Sequence, residues 1–360
     1  MPSARRRRIA TSVVSIEFEI LNLEKRVPLT ISRGTQTHSE VLWLRWCEEG
    51  VEGWGEAVPW SIGTGGETLQ DIVNGVQKFK VIVEQGAASD AAAVLRDLRS
   101  VGASSAVLAA FSQALLDWRG KKSGQSVAGL LAFPPAQPQV TSVTVGLATP
   151  EKGRERVRRW RELGEIRAFK IKLGSPAGIR SDREFFSAVK DEAGPSVRLS
   201  VDANGGWSVA DAGTMARWLY EQGIDHLEQP LSRGNEAGLA EVRRASPLPI
   251  VCDESCVAAA DVPRLAPFAH GVNIKLMKCG GIENALELIA AARAHGLKVL
   301  LGCYGSSALG NTCAAALAPL ADYLDLDSHL NLKHDPFGGA TLRDGKLDVP
   351  EAPGFGVSHE

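Results

Sequence analysis

The sequence predicts an α/β fold: a (β/α)₈ barrel of the TIM type, preceded by a smaller unit of strands and helices. Three observations predict it. Short apolar strands alternate with amphipathic helices from about residue 140 onward. Eight such units fit into that stretch, the number that closes a ring of parallel strands. Nearly every one of the eight strands ends in a charged side chain, as the mouth of a catalytic barrel requires.

In chain order, residues 10–60 read as strands and turns. Val14, Ile16, Phe18 and Ile20 alternate on one side, the period of a half-buried strand. Trp43, Leu44 and Trp46 lie near the middle of this zone, and Gly53, Gly55 and Pro59 break its pattern. Residues 67–122 read as helices. Leu69, Ile72, Val73, Val76 and Phe79 recur at helical spacing, as do Val107, Ala110, Phe111, Ala114 and Leu115. The zone closes at Gly120 and Gly124, and a proline-rich linker spans 133–139. Barrel strands are expected at 144–147, 168–172, 197–202, 226–228, 250–253, 272–275, 299–302 and 323–327. Between them lie helical stretches such as 212–222 and 284–295. An open doubly wound sheet uses similar units but opens with a glycine-rich phosphate turn, which this chain lacks. After residue 335, Gly338, Gly339, Asp344, Gly345, Pro350 and Pro353 mark a turn-rich tail that can return to the N-terminal unit.

Composition narrows the function classes. A chain of 360 residues with 44% hydrophobic side chains can bury a sizeable core. A net charge of -2 gives no reason to expect nucleic acid or an anionic membrane as partner. No run approaches the roughly 20 apolar residues that span a bilayer. Arg5 to Arg8 could open an export signal, but Glu17 and Glu19 interrupt the segment after it, so a solvated tail is expected. Six cysteines, at 47, 252, 256, 279, 303 and 313, fall mostly inside apolar patterns and are expected as buried free thiols. Cys252 and Cys256 have no second pair at zinc-site spacing. A cytoplasmic location is the default, and a homo-oligomer the default assembly.

The charges at the strand ends carry the chemistry. A charged residue inside a barrel is costly unless it faces the mouth. The second strand ends Lys170-Ile171-Lys172, the third Asp202-Ala203-Asn204, the fourth in Glu228 and the fifth in Asp253-Glu254. The sixth ends in Lys275 with Lys278 beyond it, and the eighth in Asp325-Leu326-Asp327. A spacing of two puts both outer residues of each triplet on one side of the strand. Strands three, four and five are neighbours, so Asp202, Glu228 and Asp253 can converge. Three clustered carboxylates resist ionising unless a hard cation joins them, and all-oxygen ligation suits Mg²⁺. Strands two and six lie opposite in a ring of eight, so Lys172 and Lys275 face one another across that point. A cation between them lowers their pKa values, and two opposed bases address both faces of one carbon.

Each element has a plainer reading. A lone Asp or Glu at a strand end is often a helix N-cap or a solvated loop charge. Glu254 and Glu287 are read that way, as helix-start and helix-surface charges. Lys278 is read as a support behind the site or a surface charge. His226 is read as a packed strand residue, and Gly280-Gly281 as the turn after strand six.

Several stretches resemble the muconate-lactonizing-enzyme subgroup of the enolase superfamily. They are Phe169-Lys170-Ile171-Lys172, Val201-Asp202-Ala203-Asn204, Leu227-Glu228-Gln229-Pro230, Cys252-Asp253-Glu254-Ser255 and the run from Ile274 to Gly281. Gly53-Trp54-Gly55-Glu56-Ala57 and Asp117-Trp118-Arg119-Gly120-Lys121 extend the resemblance over most of the chain. It implies an α+β capping domain, residues 1–130 completed by the tail 335–360, over a barrel of residues 140–334. It implies Mg²⁺ on Asp202, Glu228 and Asp253 with Asn204 in support, and an acid/base pair in Lys172 and Lys275 with Lys170 assisting.

Within the subgroup, Asp325-Leu326-Asp327 is similar to the Asp-x-Asp of dipeptide epimerases of the L-Ala-D/L-Glu type. There both carboxylates receive the substrate's ammonium; a helix cap or turn is the plainer reading here. Ser32-Arg33-Gly34 resembles those enzymes' specificity loop. Substrate contacts are expected from Arg33, Trp60, Thr144, Tyr304 and Gly305. One departure stands out: many relatives carry Glu before Ser or Thr after strand seven, and this chain has Gly305-Ser306-Ser307. The expected activity is epimerisation of a dipeptide's C-terminal residue. The alternatives are an o-succinylbenzoate synthase, N-acylamino acid racemase or cycloisomerase, and an inactive binding protein.

Overall fold

The computed structural model describes residues 14–85, 91–134 and 137–360. The Arg5–Arg8 tail lies outside the described residues, as do positions 135 and 136 of the expected linker.

The N-terminal unit is a three-stranded antiparallel sheet: β1 (Ser15–Ile31), β2 (Gly34–Glu48) and β3 (Val51–Ala57). Three helices come next: α1 (Leu69–Gln85), α2 (Ala91–Ser100) and α3 (Ser105–Ser123). The expected alternation in β1 holds for Val14 and Ile16, which are buried, and fails at Ile20, which is 45% exposed. Helix α1 reaches Ile16, where Glu84 accepts its N–H and Lys80 donates to its carbonyl, and Ile20 has no such cover. Gly53 and Gly55 are not the strand breakers the sequence suggested; both lie inside β3. A Cβ at Gly55 would come within 2.0 Å of the Ala110 carbonyl oxygen, and one at Gly53 within 2.1 Å of that of Ala114. The glycines let α3 lie directly on β3. Helix α3 is therefore buried almost throughout, from Ala106 to Asp117, between this sheet and the barrel.

The barrel strands are Val143–Val145, Ala168–Lys172, Arg198–Asp202, Leu227–Glu228, Ile250–Cys252, Gly271–Ile274, Lys298–Gly302 and Tyr323–Asp325. All eight expected strands are present, within a few residues at each end. They form one parallel sheet in sequential order. The ring closes just before the first strand: Ser142 N–H donates to the Leu324 carbonyl at 2.9 Å, and Leu326 N–H to Thr141 Oγ1 at 3.0 Å. Side chains such as Phe169, Ile171, Val201, Val272 and Val299 alternate with the inward-facing residues, lie on the helix side of their strands and are fully buried. Helices succeed the strands, capped where the sequence offers caps. Thr149 caps Pro150–Arg161, and Ser208 caps Val209–Glu221.

The tail does return to the N-terminal unit. Phe337–Gly338 pairs with Ser358–His359, and His359 stacks on Trp54 with ring centroids 4.8 Å apart. The buried Asp117 carboxylate fastens three segments, accepting from Trp54 N at 2.9 Å, Phe355 N at 2.9 Å and Lys121 Nζ at 2.7 Å. A hairpin, Thr341–Arg343 with Lys346–Asp348, pairs onto Gln139–Val140 beside the first barrel strand. All six cysteines are free. Among the described residues no helix is long and apolar enough to cross a membrane.

Candidate active site

Parallel strands present alternate side chains to the barrel interior, so the strand ends expected to bear charge deliver it to one place. The carboxylates of Asp202, Glu228 and Asp253 bring one oxygen each to within 4.8 Å of one another, and all three are buried. The lysines sit around them. Lys172 Nζ lies 2.6 Å from Asp202 Oδ2, and Lys275 Nζ 2.7 Å from Asp253 Oδ2. The two lysines thus flank the carboxylates from strands four apart in the ring. Lys170, on the same side of its strand as Lys172, pairs with Asp325 and lies 3.5 Å from Glu228 Oε2.

Behind this layer, each carboxylate is held by polar neighbours. Asn204 donates its backbone N–H to Asp202 Oδ1 at 2.8 Å and its amide to Oδ2 at 3.1 Å. Asn273 donates to Glu228 Oε1 at 2.7 Å. Lys278 donates to Asp253 Oδ1 at 2.7 Å, to the Asp253 carbonyl at 2.6 Å and to the Asn273 carbonyl at 3.0 Å. It is 1% exposed, so of its two sequence readings the buried support stands and the surface charge does not. Gln229 accepts from Asp253 N–H at 2.9 Å and from Ser255 N–H. Asn204 and Gln229 both leave their strands with positive φ, 44° and 35°. Left-handed backbone at a Gln is costly, and it persists because these side chains tie the loops down.

Glu254 requires a correction. By sequence it is an ordinary helix-start charge, yet it is buried and accepts from Arg33 Nη1 at 2.8 Å and from Asn204 Nδ2 at 3.1 Å. Asp253 and Glu254 both lie in the turn after the strand Ile250–Cys252, and Glu254 reaches toward the turn between β1 and β2 while sharing the Asn204 amide with Asp202. Arg33 sits in that turn and also donates to the Asn204 carbonyl at 3.1 Å. Glu287 is exposed on its helix, as expected. His226 packs 4.6 Å from the Tyr323 ring, and burial pulls its pKa to about 4.

The electrostatics arise from burial and pairing. Glu228 is pushed up to about 7, by burial first and then by Asp202. Burial would raise Asp253, but Lys275 and Lys278 outweigh it and hold its pKa below the usual carboxylate range. Burial would lower Lys170 and Lys275, yet the carboxylates beside them win, and both stand well above an ordinary lysine. With side chains alone, these two lysines are therefore held protonated, opposite to the lowering expected for Lys275. That expectation depends on a cation taking over the carboxylates.

The residues fit such a cation. The donor set is three carboxylates, and Glu228 Oε2 and Asn204 Oδ1 are buried with no hydrogen-bond partner. Oxygen-only donors with buried unsatisfied lone pairs suit a hard divalent ion.

Above the carboxylates opens a cavity of about 1220 Å³. Lys170, Lys172, Lys275, Asn204, Asp325 and Asp327 line its floor, and Arg33, Trp60, Thr144, Tyr304 and Gly305 line its walls. Asp325 accepts from Ser142 Oγ at 2.7 Å, and Asp327 from Thr144 N–H at 2.7 Å. Lys275 Nζ lies 4.5 Å from the Tyr304 ring centroid, and the Tyr304 hydroxyl is buried without a hydrogen-bond partner. Glu56 of β3 occupies the ground behind Gly305-Ser306-Ser307. It is fully buried, accepts from Ser307 N–H at 3.1 Å, and burial pushes its pKa to about 7. Sequence reasoning does not find Glu56 as a site neighbour, and likewise misses Lys25, Arg156, Gln229 and Asn273. Glu56 and Gln229 stand inside stretches already singled out; Lys25 and Arg156 give no signal.

Residues 152–360 match the family described as Enolase C-terminal domain-like. Residues 15–132 match the Mandelate racemase / muconate lactonizing enzyme, N-terminal domain. The chain is 41% identical over 343 residues to a hydrophobic dipeptide epimerase of a Flavobacteria bacterium, covering 94% of this chain and 97% of that one. It is 41% identical to a hydrophobic dipeptide epimerase of Roseobacter litoralis, over 96% of this chain and all of the other. Among solved structures, it is similar to the dipeptide epimerase of Cytophaga hutchinsonii complexed with Mg and D-Ala-L-Val. The TM-score is 0.89 at 28% identity, covering 97% of this chain and 96% of that one.

Proposed function

The chain belongs to the mandelate racemase/muconate lactonizing enzyme family with an enolase-like C-terminal domain, and on that premise we propose that it epimerises the C-terminal residue of dipeptides. The carrying observation is the pair Asp325 and Asp327 on the cavity floor, beside the carboxylate triad and its flanking lysines. A dipeptide offers a carboxylate at one end and an ammonium at the other. The carboxylate fits above Asp202, Glu228 and Asp253, and the ammonium fits Asp325 and Asp327. The α-carbon next to the carboxylate then lies between Lys172 and Lys275.

Mg²⁺ on Asp202, Glu228 and Asp253 would supply the positive charge that draws these carboxylates off the lysines and faces the substrate carboxylate as negative charge builds there. The chain's own side chains do the rest. One lysine, neutral, takes the α-proton on its Nζ, and the C–H electron pair moves into the carboxylate group. The opposed lysine, protonated, returns a proton from its Nζ to the other face of the same carbon. Each turnover inverts the centre and exchanges the two lysines' protonation states. Lys170 holds Asp325 and adds positive charge beside Glu228. Arg33, Trp60, Thr144, Tyr304 and Gly305 shape the walls around the side chains. In this reading residues 1–130 with the tail 335–360 cap a barrel of residues 140–334, in a cytoplasmic enzyme.

The test is proton NMR of a mixed L,L-dipeptide library in D₂O with Mg²⁺, run beside Lys172→Ala, Lys275→Ala and a chelator control. The expected result is washout of C-terminal α-protons with appearance of the D-epimers. Both variants and the chelated enzyme should fail to epimerise. Exchange of an N-acylamino acid or a muconate-type acid, with every dipeptide inert, would refute the ammonium site and leave the barrel chemistry standing.

A further inference from the structure

The cavity wall beside the eighth strand carries a lysine that the proposed reaction does not use. Lys25 lies on β1, where pairing with β2 shifts register between Glu24 and Leu29. It is 6% exposed, lines the cavity and donates to Ser39 Oγ. Among the described residues no carboxylate pairs with it. A lysine ammonium has three donors, and a buried cation with one neutral acceptor is costly to keep. Such a group is retained where a ligand completes it.

Gly305 makes the room. A Cβ there would come within 2.6 Å of Ser39 Oγ and 3.7 Å of Lys25 Nζ. The missing side chain after strand seven and the inward lysine are thus one feature. Arg156 lines the same cavity. It lies 4.0 Å over the Trp160 ring and donates to Asn331 Oδ1 at 3.0 Å, also without a carboxylate partner. Burial pulls both cations below their ordinary pKa values, with Asp327 opposing the drop in each.

In this arm of the cavity Lys170 is already met by Asp325 and Glu228, whereas Lys25 and Arg156 have no carboxylate partner among the described residues. A substrate ammonium adds a further positive charge. A carboxylate carried at the same end of the substrate restores the balance, and the C-terminal carboxylate is already placed at the triad. Val58 and Trp60 line the cavity elsewhere, Val58 bonded to Met277 and Trp60 beside the Tyr304 ring that Lys275 overlies. Arg33 has its charge met by Glu254.

We propose that Lys25, seated against Ser39 and Gly305 and flanked by Arg156, is a subsite for a side-chain carboxylate on the dipeptide's N-terminal residue. Aspartyl- and glutamyl-first dipeptides are then the substrate class. The inference rests on the epimerase reading and specifies its substrate.

The experiment compares kcat/KM for L-Glu-L-Leu with L-Gln-L-Leu, and L-Asp-L-Leu with L-Asn-L-Leu, on the Mg²⁺-loaded enzyme. The expected acid-to-amide ratio is at least about tenfold, the worth of one charge-assisted hydrogen bond. Lys25→Met should bring the ratio close to one, and Lys25→Arg should restore most of it. A wild-type ratio near one overturns the proposal, and so does a ratio that Lys25→Met leaves unchanged. The epimerase reading fails differently, by inertness of every dipeptide. Calorimetric binding of L-Glu-L-Leu against L-Gln-L-Leu would then decide the subsite by itself, equal affinities refuting it.

Discussion

Replacing Arg33 by methionine unfastens the N-terminal hairpin from the barrel. Arg33 Nη1 reaches Glu254 Oε1 at 2.8 Å and the Asn204 carbonyl at 3.1 Å. Asn204 in turn holds both oxygens of Asp202. The hairpin that walls the cavity is therefore bonded to the loop that orients a carboxylate of the triad. A hydrogen bond between ionised groups is worth up to about 3 kcal/mol when dry. The Glu254 side chain is 4% exposed and that of Arg33 is 31%, so solvent screening reduces the contact to about 1.5 kcal/mol. That corresponds to roughly a tenfold change in an equilibrium or rate ratio. The assay is a double-mutant cycle on kcat/KM for dipeptide epimerisation, with Arg33→Met, Glu254→Gln and the pair. Each single variant should lose about tenfold, and the double should lose little more than either. Losses that simply multiply, within about 0.5 kcal/mol of additivity, would refute the strap and leave two independent residues.

Two further outcomes concern buried carboxylates. Asp117→Ala leaves the N–H groups of Trp54 and Phe355 without their acceptor, and should lower unfolding free energy by about 3 kcal/mol or more. Urea denaturation measures it, and an unchanged midpoint would show that the tail and β3 are held by other contacts. Glu56, with its pKa raised to about 7 by burial, binds a proton in the folded chain that the unfolded chain has lost. Its contribution is therefore complete below the unfolded carboxyl pKa of about 4.5 and is lost as pH rises to about 7, a fall of order 3 kcal/mol. Glu228 adds a slope of the same sign, so the readout is the difference between wild type and Glu56→Gln in denaturation at pH 5 and pH 7.5. Parallel pH dependence in the two proteins would refute the assignment to Glu56.

The charged strand ends are legible because charge at the end of an apolar strand has few inexpensive places to go. Lys170, Lys172, Asp202, Glu228, Asp253, Lys275, Asp325 and Asp327 all stand out for that reason, and the structure gathers them at one barrel mouth. Glu254 misleads because a charge next to a strand end looks the same whether it caps a helix or meets an arginine 221 positions away. Gly53 and Gly55 mislead because a glycine that admits a helix backbone and one that breaks a strand are the same letter.

The sequence by itself determined the eight-strand period, the side of each strand that its charges occupy, and the triad with its opposed lysines. These are local properties, fixed by the two-residue repeat of a strand and the order of strands around a ring. Only the tertiary structure decided that Lys25 of the N-terminal unit joins the expected Arg33 and Trp60 along the cavity, and that Glu56 lies behind Gly305-Ser306-Ser307. They arrive there because the β1–β2 hairpin and β3 are laid over the barrel by α3 and the returning tail. That placement depends on contacts between residues hundreds of positions apart, which no local repeat encodes.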